Sequence, residues 1–332
     1  MRLLLVGDVM LGRGVNEVLK CMPADYPWGD TLRSFLLSDW RVCNLECVIS
    51  DRGAPWQTTP KVFHFCSDAK NIAVLRAAKI DAVSLANNHL LDFGYDAMFE
   101  TLDLLDRAGI RHAGAGADLE AASAAAVSEV MGKKIGLLAF TDNQPEWAAG
   151  SHQAGVWYVP IDVADRRAQL VFDRVQKMRS QVDIVLISAH WGPNWGYEPP
   201  EEHIVFAHRL ADLGVDLVFG HSGHVFRGVE VYKNAAIMYC AGNFVDDYAV
   251  DPVERNDQSS IFLVDVISGR IKRLLLRSTM IRDCRAELAV GQDAFRIGSQ
   301  MNRLCEAHGT AVRWYRDQGL LEIPVAFPDG KD

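Results

Sequence analysis

Five short apolar runs in this sequence each lead into a side chain that can hold a metal ion or move a proton. Leu3–Val6 runs out at Asp8, and Arg41–Asn44 is followed by Glu46. Ala82–Leu85 leads into Asn87-Asn88-His89, Ile184–Ser188 into His190, and Leu217–Phe219 into His221 and then His224. The runs have the length and composition of strands buried on both faces. In an open α/β sheet the ligand crevice lies beyond the carboxyl ends of the strands. These groups are therefore expected to converge although they are far apart in the chain.

Asp8, Glu46, Asn88, His190, His221 and His224 make a mixed oxygen and nitrogen donor set with no thiolate. Such a set suits Mn, Fe, Zn or Co ions. It exceeds the needs of one tetrahedral ion, and two ions about 3.5–4 Å apart, bridged by a carboxylate, would use all of it. The chemistry this predicts is hydrolysis. Paired cations bring the pKa of water between them near neutrality and offset charge on the attacked centre. The leaving group also needs a proton, and His89 is placed to supply it, since an imidazole titrates at about pH 6.5. A lone His at a strand end is ordinarily a hydrogen-bonded loop residue. It is the coincidence of so many suitable side chains at strand ends that favours a site. Trp191, Trp195 and Tyr197, in the loop after His190, are expected to wall a pocket with rigid apolar area, Trp191 as a substrate contact.

Helical patterns lie between these strands, at Tyr95–Ala108, Leu119–Met131, Val163–Arg179 and Glu201–Leu213. The last is opened by Pro199-Pro200 and closed by Gly214. Strands alternating with helices predict βα units and a parallel core. Gly228–Tyr232, Ala236–Tyr239, Ser260–Val266 and Arg270–Leu276 are joined by tight turns and predict an antiparallel meander or hairpins. Arg270, Lys272 and Arg273 are expected on its solvated face. From about Gln292 a helix runs to Ala307, followed by an extended end bearing Trp314, Tyr315 and Phe327.

Composition narrows the function classes. The 332 residues are 49% apolar and 23% charged, as in ordinary globular proteins. A net charge of −9 with no basic block argues against nucleic-acid binding, which needs clustered Lys and Arg. No apolar run approaches the ~20 residues of a membrane helix. The apolar start is too short for a signal peptide, so no membrane association and a cytoplasmic location are expected. The 7 cysteines have no C-x-x-C spacing, which argues against a disulfide framework or a zinc knuckle. Cys43 and Cys47 read as small buried apolar residues.

Several motifs, in order, carry a family resemblance. They are Gly7-Asp8-Val9-Met10-Leu11-Gly12-Arg13, Asn44-Leu45-Glu46, Leu85-Ala86-Asn87-Asn88-His89 through Asp92-Phe93-Gly94, His190-Trp191-Gly192 through Glu198, Gly220-His221 to His224-Val225, and Gly242-Asn243-Phe244. Together they resemble the CapA family of poly-γ-glutamate capsule-synthesis proteins, a branch of the calcineurin-like metallophosphoesterases. The resemblance, carried by motifs from residue 5 to 245, implies an α/β/β/α sandwich of mixed sheets flanked by helices; the chain pattern extends this domain over residues 1–290, with a C-terminal helix and tail at 291–332 expected to pack on it. It implies a first metal on Asp8 and His224, Glu46 as bridge, and a second metal on Asn88, His190 and His221. His89 would be the acid, oriented by Asp92. Lys61 falls in a stretch similar to the family's Lys-containing segment, and it and Arg13 would hold an anionic substrate group. Met10 stands where phosphoesterases usually place a His ligand, and Ser222-Gly223 where the family often has His-Pro. A mononuclear or asymmetric site is the alternative to a full pair. The expected activity is metal-dependent cleavage of a phosphoester or amide in a small anionic substrate. The alternatives are an accessory role in capsule synthesis and a metal-binding module without turnover.

Overall fold

The apolar runs form strands, and they are largely apolar because they are covered on both sides. In the computed structural model, which describes residues 1–325, Leu3 and Leu5 share a core with Leu137, Leu186 and Phe219. Leu4 and Val6 point the other way, into a core with Val74, Leu75, Met98 and Leu105. A third core sets Leu138, Phe140, Val185, Ile187 and Val218 against Val171, Phe172, Phe206 and Leu210. Two sheets therefore pack face to face, and helices cover each outer face: Gly94–Ala108 on one side, Arg166–Arg179 and Glu201–Asp212 on the other. This is the α/β/β/α sandwich.

The larger sheet runs Arg313–Tyr315, Leu320–Pro324, Arg270–Arg282, Gln258–Ile267, Arg2–Val9, Trp40–Leu45, Ala82–Ser84, Arg111–Ala113. Arg2–Val9 and the three strands that follow it in that order are parallel, while Gln258–Ile267 is antiparallel to Arg2–Val9. The smaller sheet runs Val229–Tyr232, Ala235–Met238, Leu217–His221, Ile184–His190, Lys133–Thr141, Ala126–Val130, with a parallel centre. The carboxyl ends of the two parallel cores meet at one rim.

Three expectations are corrected. The Leu119–Met131 segment is helical only over Leu119–Ala122, and Ala126–Val130 is a strand antiparallel to Lys133–Thr141. Alanine content suggests helix there, but Met131 (φ 52°) and Gly132 (φ 74°) form a tight turn that pairs the β-branched Val127 and Val130 across a hairpin. The later strands are hairpins but not one meander. Val229–Tyr232 and Ala235–Met238 extend the smaller sheet, whereas Gln258–Ile267 and Arg270–Arg282 extend the larger one. Arg273 is not merely solvated, because it pairs with Asp265 (2.8 Å) and Glu322 (3.1 Å).

The helix Gly291–Ala307 inserts Ile297, Met301 and Cys305 into the inter-sheet core, and Leu320–Pro324 pairs with Arg270–Arg282. Phe327 lies outside the described residues. The cysteines are all free, with Cys43 and Cys47 buried. Among the described residues no helix is long and apolar enough to cross a membrane.

Candidate metal centre

Strand alternation explains most of the site. Along Trp40–Leu45, Trp40 and Val42 face the inter-sheet core while Cys43 and Leu45 face the helices, so Asn44 and then Glu46 emerge on the inter-sheet side at the rim. In the same way Ile184 and Leu186 lead to Ser188 and His190, and Leu217 and Phe219 lead to His221. The inner face of each sheet turns from apolar to polar at the carboxyl ends of its strands, where Asn44, Glu46, Ser188, His190 and His221 are still buried.

The first strand changes phase. Leu4 and Val6 face the helices, and a regular strand would send Asp8 there too. Its pairing with Trp40–Leu45 slips between Val6 and Asp8, and Val9 joins Leu4 and Val6 on the helix side. The bulge turns Asp8 towards the other sheet. Gly7 permits it: a Cβ there would lie 1.8 Å from the Gly242 carbonyl oxygen. That close approach lets Asp8 N donate to the same oxygen at 3.0 Å. The loop beyond His221 is also constrained, with Ser222 (φ 95°) and His224 (φ 56°) both held in conformations that favour glycine.

Two donor groups form around Asp8. Ligand atoms of Asp8, His190 and His221 lie within 4.8 Å of one another, and so do those of Asp8, Glu46 and His224. His190 and His221 are direct register partners, and their Nδ1 atoms are 2.8 Å apart. Two nitrogens at ~2.1 Å from one ion and at right angles would be separated by ~3 Å. Ser188 Oγ hydrogen-bonds His221 Nε2 at 2.6 Å, which leaves Nδ1 facing the site. Asn243 Oδ1 accepts from His224 Nδ1 at 3.0 Å, which leaves His224 Nε2 for an ion. Asn88 Oδ1 is 2.9 Å, and Glu46 Oε1 3.9 Å, from His190 Nε2.

These residues fit divalent cations. Burial lowers the His190 imidazole well below its usual range, lowers His221 to about 3 and lowers His224. Burial raises Asp8 to about 7, against a hydrogen bond from Asn44 (2.8 Å). Glu46 is raised well above its usual value by burial and then by the charges of Asp8 and Asp246. Neutral imidazoles thus surround two buried carboxylates, with Lys61 the cation that acts on Glu46, a costly arrangement that a divalent cation would relieve. Glu46 Oε2 is buried with no hydrogen-bond donor. The nearby thiol of Cys47 only accepts from Leu11 N, so the donors are oxygen and nitrogen throughout.

Asp8, turned inward by the bulge, is common to both groups, and Glu46, grouped with Asp8 and His224, also stands 3.9 Å from His190, so both carboxylates lie between the imidazoles. Met10 contributes no donor to the site, because it is fully buried and its Sδ accepts from Gly12 N at 3.0 Å.

Beside these groups lies a buried histidine–aspartate pair. Asp92 Oδ2 accepts from His89 Nδ1 (2.6 Å) and from Phe65 N (2.7 Å), and its other oxygen faces Lys61 Nζ at 3.3 Å. Phe65 stacks on His89 with centroids 4.0 Å apart. Burial pulls the His89 pKa down to about 4, against the opposing pull of Asp92.

The structure brings Asp8, Glu46, Asn88, His89, Asp92, His190, His221 and His224 together. Lys61 is also there, but its ammonium is committed to Asp92, to the Asn88 carbonyl (2.6 Å) and to the Trp147 ring. Arg13 stands at the rim over Phe63, Phe65 and Tyr248, paired with Asp247 at 3.4 Å. Trp191, expected as a substrate contact, is fully buried, stacks on His203 and donates to the Tyr239 carbonyl, so it packs with the core. Of its loop neighbours, Trp195 is exposed and 5.8 Å from the His224 ring. Asn44, Ser188 and Asn243 were not singled out from the sequence. Period-two alternation signals the first two, each being two residues before an identified donor on the same strand face. Asn243 has only its place in the Gly242-Asn243-Phe244 motif.

Fold and rim together define the class: a metallophosphoesterase-like sandwich with an oxygen and nitrogen donor set where its sheets meet. The chain belongs to the bacterial capsule synthesis protein (PGA_cap) family, whose model matches residues 2–248. A "Probable polyglutamine synthesis accessory protein" of Mycobacterium tuberculosis is 32% identical over 99% of this chain and 97% of its own length. The "PGA biosynthesis protein CapA" of Bacillus subtilis is 29% identical over 73% of this chain, which spans 62% of that protein. Among solved structures, a hypothetical protein from Thermus thermophilus covers 84% of the chain and 98% of its own (TM-score 0.51, 16% identity). A putative 5'-nucleotidase from Staphylococcus aureus, in complex with alpha-ketoglutarate, covers 93% of the chain and 58% of its own (TM-score 0.50, 13% identity). These two share the fold.

Proposed function

We propose that this protein is a metal-dependent hydrolase that cleaves a phosphoester or amide bond in a small anionic substrate. The observation that carries the reading is the pair of buried donor groups sharing Asp8, with the His89–Asp92 pair beside them. Asp8, His190 and His221, with Asn88 against His190, would hold one ion of the Mn, Fe, Zn or Co type, and Asp8, Glu46 and His224 a second or weaker one. Bound there, the ions would supply a nucleophilic water near neutral pH and a positive field for charge on the attacked centre. Asp92 fixes the His89 ring through Nδ1, so Nε2 is the atom that carries a proton to the leaving group. Phe65 covers the ring face and excludes water from it. Burial leaves His89 neutral at pH 7, and the approach of an anionic substrate favours its protonated form. The net charge of −9 disfavours long polyanions such as nucleic acid, and we place the protein in the cytoplasm, off the membrane.

The second reading, an accessory role in capsule-polymer synthesis without turnover, is favoured by the names of the relatives. Elemental analysis of protein purified without chelator, joined to turnover of p-nitrophenyl phosphate, a bis-ester and a γ-glutamyl anilide, separates the two. Hydrolysis that Glu46→Ala and His221→Ala abolish supports the enzyme. Bound metal with no turnover of any probe favours the accessory role, and activity unchanged in both variants sinks the site. His89→Gln is expected to lower turnover by about 10²–10⁴-fold with metal content unchanged.

A further inference from the structure

Arg227 is a buried cation outside the donor set. It is 1% exposed, and among the described residues it pairs with no carboxylate. Its guanidinium donates instead to the backbone of one loop: Nε to the Gly196 carbonyl at 3.0 Å, and Nη2 to those of Pro193 at 3.1 Å and Trp195 at 3.4 Å. Nη1 is buried with no acceptor. Moving a guanidinium out of water onto carbonyl dipoles alone is costly, and an apolar side chain of similar length would fill the space without that cost. What the guanidinium adds is geometry, since its planar fork fixes several acceptors at once.

The loop it holds follows His190 and has no regular structure, with Pro193, Asn194 and Trp195 exposed. That loop sets the Trp195 ring 5.8 Å from the His224 ring. The same guanidinium packs against the turn that presents His224, because a Cβ on Gly223 would lie 3.4 Å from Arg227 Nη2. Gly223 stands between Ser222 (φ 95°) and His224 (φ 56°), and non-glycine residues keep such conformations only where their surroundings fix them. Ser222 N reaches Asp8 Oδ2 at 3.4 Å and Asn243 holds the His224 ring, so Arg227 supplies the contact on the middle of the turn. Its own backbone is anchored, with N donating to the Cys240 carbonyl at 2.9 Å. His190 and His221 need no such brace, since they are register partners at the ends of paired strands.

We propose that Arg227 is the positioning residue for His224. By binding both loops it keeps His224 Nε2 facing Asp8 and Glu46, so cation binding at that donor group depends on Arg227 while binding at Asp8, His190 and His221 does not. The proposal rests on the metal-centre part of the hydrolase reading, and it gives the asymmetry between the two donor groups a structural cause.

Calorimetric titration of the full chain with Mn²⁺ tests it, with His224→Ala marking the ion that needs that group. Arg227→Met, checked by its melting curve, is expected to weaken this same ion by about tenfold or more and to leave the other within about twofold. Arg227→Lys keeps the charge but not the fork and should fall between; if Arg227→Met does not fold, Arg227→Lys is judged by the same selectivity. Arg227→Met added to His224→Ala should cost no further affinity, since both act on one ion. Equal weakening of both ions, as a general loosening would give, unchanged affinity in the folded variant, an added loss in the double variant, or no ion that depends on His224 would each overturn the proposal. Failure here is distinct from failure of the hydrolase reading. Wild type that binds no Mn²⁺ removes the metal centre and this role with it, metal binding without turnover removes the hydrolase alone, and metal binding indifferent to Arg227 removes the positioning role alone.

Discussion

If the rim residues exist to hold cations, Glu46→Gln should change the sign of its effect on stability with metal. Without metal, the Glu46 and Asp8 ligand oxygens lie within 4.8 Å of each other, and like charges at that distance repel by about 3.5 kcal/mol at an effective dielectric constant near 20. The raised pKa of Glu46 means that the folded protein holds a proton there that the unfolded chain releases. The metal-free protein is therefore expected to lose stability as pH rises above the unfolded carboxylate value through the raised folded one. Gln removes that loss, so in chelator the variant should match wild type near pH 5 and exceed it by about 2–3 kcal/mol at pH 8. With metal present, wild type gains about 2.7 kcal/mol at one hundred times Kd, a gain the variant loses in large part. Urea denaturation at pH 5 and pH 8, with chelator and with Mn²⁺ or Zn²⁺, reads both signs. A variant destabilised under every condition, or a wild type indifferent to metal, would refute the reasoning, because Glu46 would then be an ordinary structural carboxylate.

Two further perturbations test how the site is held. Gly7→Ala drives a Cβ to 1.8 Å from the Gly242 oxygen and should cost about 2–4 kcal/mol from the clash and the strained Asp8–Gly242 hydrogen bond. Thermal melts read that cost, metal content should fall with it, and a change below about 0.5 kcal/mol would mean that the bulge tolerates a side chain. Ser188→Ala removes the hydroxyl that sets His221 Nε2 and should weaken metal affinity by about 10–100-fold. Metal competition with a chromogenic chelator measures this, and unchanged affinity would show that neighbours already fix the ring.

Much of the sandwich was legible because burial on both faces leaves its mark in composition. Leu3–Val6, Ile184–Ile187 and Leu217–Phe219 are apolar throughout because helices lie on one side and a second sheet on the other. The pattern at Tyr95–Ala108 places Met98, Leu102 and Leu105 on one face, and the helix Gly94–Ala108 buries Met98 and Leu105 and half-buries Leu102. Leu119–Met131 misled because alanine favours helix locally, while pairing across the Met131-Gly132 turn decides the outcome. Trp191 misled for a related reason: its loop position suggests a pocket wall, but neighbouring His203 and the Tyr239 carbonyl draw it into the core.

What the chain by itself determined is the inventory: which side chains end the strands, and that carboxylates, carboxamides and imidazoles, not thiolates, supply the donors. Period-two alternation extends this to Asn44 and Ser188. Tertiary structure alone decided which of these side chains stand together. A single slipped residue at Gly7 turns Asp8 from the helix side to the inter-sheet side, and that slip exists only because the Gly242 backbone presses against the first strand. No local pattern encodes a contact between residues so distant in sequence.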